Sequence, residues 1–93
     1  MLPSSITITT HHDPAHSYLE VEASLVEGLT LSGSLSKYSF ISPDFSTYYL
    51  EVDRDGLLFI ESLSENKIEF TFEEVVHDEP GVFRQFNRTG SRH

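Results

Sequence analysis

The sequence predicts a single α+β domain, with a mostly antiparallel sheet of about five strands and one main helix on one face. Three observations predict it. Short runs of aromatic and β-branched residues alternate with polar ones, as half-buried strands do. Turn residues, chiefly Asp13-Pro14 and Pro43-Asp44, punctuate those runs at hairpin spacing. One stretch, from Gly56 to Leu63, changes to a helical period. The 93 residues suffice for one domain, spanning 1–93, and are too few for two.

Taken in order, residues 1–5 read as a loose leader. Residues 6–10 alternate strictly, with Ile6 and Ile8 on one face and Thr7 and Thr9 on the other. Asp13-Pro14 marks a turn, because Asp accepts bonds from the amides ahead of it and Pro presets φ. Residues 18–22 alternate again with Leu19 and Val21 inward. These two strands form a hairpin that carries His11, His12, Asp13 and His16 at its tip. Residues 23–31 suit a short helical turn ended by Gly28, and residues 32–36 a polar hinge.

Residues 37–41 and 47–52 read as strands joined by a loop over 42–46. Tyr48, Leu50 and Val52 share one face of the second strand, Tyr49 and Glu51 the other. Asp53 stands where a helix N-cap belongs, and Asp55 in the first turn suits the helix dipole. Gly56, Phe59, Ile60 and Leu63 form the apolar stripe, and residues 64–67 end the helix. In residues 68–73, Ile68, Phe70 and Phe72 are expected inward and Glu69, Thr71 and Glu73 outward. Asp78 and Pro80 supply the start of a last helix with Val82, Phe83 and Phe86 as its apolar side. Residues 87–93 show no period, and residues 89–93 read as a flexible end.

Charge narrows the functional classes. Fifteen acids face six bases, a net charge of −9, and all three bases beyond residue 83 (Arg84, Arg88, Arg92) lie in a tail without acids. Residues 1–83 therefore hold fifteen acids against Lys37, Arg54 and Lys67, a net of −12. Such a body repels nucleic acid and anionic membranes, and attracts a basic protein partner. The same charge also serves solubility. No cysteine is present, which excludes disulfides, thiolate zinc sites and cysteine nucleophiles. No apolar run reaches the roughly 18–20 residues of a membrane span, and the composition suits the cytoplasm.

Two constellations carry chemical interest. His11, Asp13 and His16 are good ligands for Zn²⁺, Ni²⁺ or Fe²⁺ if the turn folds them together. A metal-dependent hydrolase would then use Glu20 or Glu51 as base. The preferred reading is a turn capped by Asp13 with solvated or hydrogen-bonded histidines, and the metal site is the alternative. The second constellation, Glu51, Asp53 and Asp55 beside Tyr49, reads as caps and first-turn acids or as an interaction surface. Serines are plentiful, but none lies in G-x-S-x-G, and no glycine-rich phosphate loop exists among five glycines. No cofactor is expected.

Three motifs carry a resemblance. Residues 11–21 (His-His-Asp-Pro-Ala-His-Ser-Tyr-Leu-Glu-Val), residues 35–40 (Leu-Ser-Lys-Tyr-Ser-Phe) and residues 49–55 (Tyr-Leu-Glu-Val-Asp-Arg-Asp) stand in this order. They resemble a group of small uncharacterised bacterial and phage- or plasmid-borne proteins with the pattern H-x-D-P-G-H-G-W-L-E-V, S-x-Y-S-Y, Y-L-E-E-D-x-D. The resemblance spans about residues 8–88, including residues 83–88 near the end. Ala15 and Ser17 replace the group's glycines, Tyr18 its Trp, and Val52 one acid. It implies a mobile-element setting and assigns no catalytic residue. The function expected is a non-catalytic, acidic protein-interaction module. One version is an inhibitor covering a basic nucleic-acid-binding surface. The uncovered edges of a small open sheet also leave room for a homodimer.

Overall fold

The computed structural model describes residues 2–78 and 86–89. Strands β1 (Ser5–His12), β2 (Ser17–Glu22), β3 (Phe40–Ile41), β4 (Thr47–Glu51), β5 (Glu69–Val76) and β6 (Asn87–Arg88) form one sheet in the order β5-β1-β2-β4-β3-β6. Helix α1 (Ala23–Gly28) follows β2, and α2 (Leu57–Glu65) joins β4 to β5. A 3₁₀ turn covers Ser32–Ser34 and a π-helical turn covers Val52–Gly56. The architecture is the expected α+β domain with one main helix.

Pairing is antiparallel for β1/β2, β2/β4, β4/β3 and β3/β6, and parallel for β1/β5. The parallel pair explains the position of α2. A parallel neighbour cannot be reached by a hairpin, so the chain needs a crossover, and an amphipathic helix supplies it. Ile8, Leu19, Val21, Leu50 and Tyr48 from the sheet meet Val26 of α1 and Phe59 and Leu63 of α2 in the main core. Phe59, Leu63, Ile8, Leu50 and Val26 are wholly buried. The opposite sheet face bears a smaller cluster, Tyr18 and Phe40 with Tyr49 and Phe86 against them.

Both helices stop by the same device. The amides of Thr30 and Leu31 donate back to the carbonyls of Glu27 and Val26; those of Lys67 and Ile68 donate to Ser64 and Leu63. This is the paired closure of a Schellman motif, and its outer and inner residues, Leu31 with Val26 and Ile68 with Leu63, all belong to the main core. It requires a left-handed residue, and Thr30 (φ 59°) and Lys67 (φ 58°) adopt it. The helical turn ends at Gly28 as expected, and Thr30, rather than the glycine, takes the left-handed conformation that turns the chain.

Five expectations are corrected. Residues 1–5 are not all a loose leader: Leu2 packs on the core, Ser4 accepts a bond from the Glu69 amide, and Ser5 opens β1. Asp53 makes no cap bond; the π-helical turn intervenes, and Gly56 precedes α2 without a side-chain cap. The strand expected over 37–41 shrinks to Phe40–Ile41. In β5 the expected inward face is only partly covered: Ile68 is buried, Phe70 half-buried, and Phe72 is 48% exposed. The strand lies at the sheet edge, and a nine-residue helix is too short to cover its far end. The last helix expected after Asp78 falls on residues 79–85, outside the described residues, as do residues 90–93. Thr89, expected in the flexible end, is buried, with its amide on the Ser39 carbonyl and its hydroxyl on the Ser36 carbonyl.

Candidate interaction surface

The hairpin tip is a turn built on Asp13. Its Oδ1 accepts the amides of Ala15 (2.9 Å) and His16 (2.8 Å), and its own amide donates to the His16 carbonyl. The carboxylate therefore serves backbone groups that the turn leaves unpaired. Alternation along β1 sends His11 and His12 to opposite faces. His11 Nε2 lies 2.6 Å from Glu20 Oε1, and His11 Nδ1 lies 2.9 Å from His77 Nε2. On the other face, His12 bridges Ser17 Oγ (2.7 Å) and Glu74 Oε1 (3.0 Å). His16 is exposed, with its ring edge-on to Tyr18.

The structure therefore does not assemble His11, Asp13 and His16 as a ligand set. Among the described residues, no three His, Asp or Glu side chains converge to hold a metal ion. Asp13 is held by the turn, and Glu20 holds His11 against the sheet. The hydrolase reading loses the three converging ligands it needs.

His77 is the partner that periodicity did not reveal. The His11 and His77 ring planes are inclined by 25° with centroids 5.1 Å apart. That separation exceeds the nitrogen–nitrogen distance by about the two ring radii, so the rings meet edge to edge rather than face to face. One proton sits in such a contact, donated by one imidazole to the other. The chain Glu20–His11–His77 ties β2, β1 and the end of β5 across the sheet, with Tyr49 of β4 beside His11. Burial, then the negative charges of Glu20 and Asp44, raise the Tyr49 phenol above its usual value near 10.

The second constellation divides by burial. Asp55 is only 2% exposed. It accepts the Ser36 amide and the hydroxyls of Ser36 and Ser39, while Ser39 Oγ in turn accepts the Glu51 amide. These side-chain bonds replace strand pairing over residues 36–39 and shorten β3. Asp55 is a buried tie between segments, and this corrects its place in an interaction surface. Asp53 is exposed, while Glu51 and Tyr49 are half-buried.

Glu51 and Asp53 line an open cleft of about 630 Å³ with His16, Tyr18, Lys37, Tyr38 and Arg54. Lys37 and Arg54 both approach the Tyr38 ring, at 5.7 and 5.2 Å from its centroid. Two of the three bases in residues 1–83 thus gather on one aromatic ring. At the other end of β4, the β3–β4 loop closes on Asp44, whose carboxylate accepts the Ser42 and Ser46 hydroxyls and the Ser46 amide. Those bonds hold Asp44 at about 2, below the usual carboxylate value, and present Phe45 at the tip, 56% exposed.

No helix among the described residues is long and apolar enough to cross a membrane. No protein-family model, curated protein or solved structure matches the chain.

Proposed function

We propose that this chain is a non-catalytic module that binds a basic protein partner in the cytoplasm, without contacting nucleic acid itself. One observation carries the reading: the acids far outnumber the bases over residues 1–83, and two of the three bases there share one aromatic ring. With Lys37 and Arg54 drawn together on Tyr38, Lys67 is the remaining base of residues 1–83, against fifteen acids. A surface on which one sign predominates raises the rate of encounter with the opposite sign. The site geometry supports binding over catalysis, since the histidines and Asp13 that suggested chemistry serve as ties and turn caps.

The specific form of the reading is an inhibitor that covers a basic nucleic-acid-binding surface, consistent with the resemblance to phage- and plasmid-borne proteins. The test is capture from the source cell at low and high salt, followed by displacement of labelled DNA or RNA from the captured protein. Capture that weakens with salt, together with displacement, supports the reading. No specific partner at either salt, or undisturbed nucleic-acid binding, overturns it.

A further inference from the structure

We infer that the outer edge of β5 is the docking strand for a basic, extended segment of that partner, which adds to the sheet as a further strand next to β5. The inference rests on the basic-partner reading and names where the contact is made. Three observations carry it.

The first is backbone geometry. The Glu69 amide donates to the Ser4 carbonyl at one end of the β1/β5 ladder, and the His77 amide donates to His12 at the other. Successive amides along a strand alternate sides, so residues 69, 71, 73, 75 and 77 direct theirs to β1. Phe70, Phe72, Glu74 and Val76 direct their N–H and C=O groups away from the sheet. β5 is the terminal strand of the sheet, and eight residues is long for an edge.

The second is the side chains. Phe72, Val75 and Val76 are 48%, 39% and 77% exposed, so apolar surface flanks those backbone groups on both faces. Strand addition uses this combination, with main-chain bonds for affinity and alternate side chains for selection.

The third is charge. Glu69, Glu73 and Glu74 lie on the strand with no base among its residues. Two copies paired edge to edge would bring six carboxylates together on chains that each carry −9. Like charges across a strand pair oppose it, and a segment rich in Lys or Arg reverses the sign. The occupant is therefore a basic strand rather than a second copy.

The test uses the ¹⁵N-labelled chain and a synthetic, acetylated octapeptide alternating lysine with valine and threonine, beside an analogue of equal charge N-methylated at alternate residues. Addition of the plain peptide shifts and slows exchange of the Phe70, Phe72, Glu74 and Val76 amides, and the N-methylated peptide does not. The double variant Glu69→Lys, Glu73→Lys weakens binding about tenfold at low salt, in keeping with the loss of two exposed charge pairings and their reversal. Equal salt-sensitive binding of both peptides, without protection of those four amides, overturns strand addition but leaves the basic-partner reading standing. Binding by neither peptide overturns the edge as the docking site, while the displacement assay above decides the reading itself. Protection that grows with protein concentration and needs no peptide overturns the inference in favour of a second copy.

Discussion

Asp55 shows how one side chain holds a fold that lacks a ladder. Its carboxylate gathers the Ser36 amide and two hydroxyls where β3 would otherwise extend. Asp55→Ala leaves those buried donors unpaired and should cost about 2–4 kcal/mol in urea unfolding. Asp53→Ala, at an exposed neighbour without a cap bond, should stay within about 0.5 kcal/mol. Tyr49 gives a residue-level signal in alkali. Its folded value is raised above the unfolded one, chiefly by burial and then by Glu20 and Asp44. The protonated phenol therefore contributes its full stabilisation below about pH 10, and loses it as pH rises through the raised value. Carbon NMR of the labelled Tyr49 ring should show ionisation above 10, and Glu20→Gln should bring the midpoint part of the way down. A midpoint at or below 10 in the parent would mean that the ring is not screened from water as described.

At the scale of elements, both helices end on residues poorly suited to the conformation required. A left-handed Thr costs about 1–2 kcal/mol because its branched carbon crowds the backbone, and Lys67 carries a milder form of the same strain. Thr30→Gly relieves it, although Gly also widens the unfolded ensemble by about 0.4–1 kcal/mol. The net expectation is a gain of up to about 1 kcal/mol, larger for Thr30→Gly than for Lys67→Gly, read from thermal and urea midpoints. Gly56 is the opposite case. A Cβ there would stand 3.2 Å from Leu19 Cδ1 and 3.4 Å from the Glu51 carbonyl, so the residue lets the π-helical turn lie close to β2 and β4.

For the whole molecule, the two sheet faces and the outer strand have unequal roles. α1 and α2 cover one face and make the main core; among the described residues no strand lies beyond β5. Phe59→Ala should cost about 3–5 kcal/mol, because the ring is wholly buried and its removal leaves a cavity. Phe72→Ala should cost less than about 1 kcal/mol despite its place in the most regular apolar alternation of the chain. Equal losses at the two sites would mean that the far end of β5 is covered. In the proposal above this edge serves recognition, and the carboxylates of Glu69, Glu73 and Glu74 would favour a basic strand over a second acidic copy.

The sequence by itself determined the parts that repeat within a few residues. Alternation marked β1, β2 and β4, Asp13-Pro14 marked the hairpin turn, and the stripe of Phe59 and Leu63 marked the buried side of α2. Composition also determined the acidic character of the body. Tertiary structure alone decided which of these parts meet. His11 finds His77 across 66 residues, and Asp55 finds Ser36 across 19. β5 runs parallel to β1 at the sheet edge, so a face that reads as inward keeps Phe72 in water. A local period records which side of an element is apolar; it holds no record of the neighbour that will lie against that side. That choice belongs to the packing of the whole chain, where the length of α2 and the order of the strands decide which apolar residues are covered and which stay exposed.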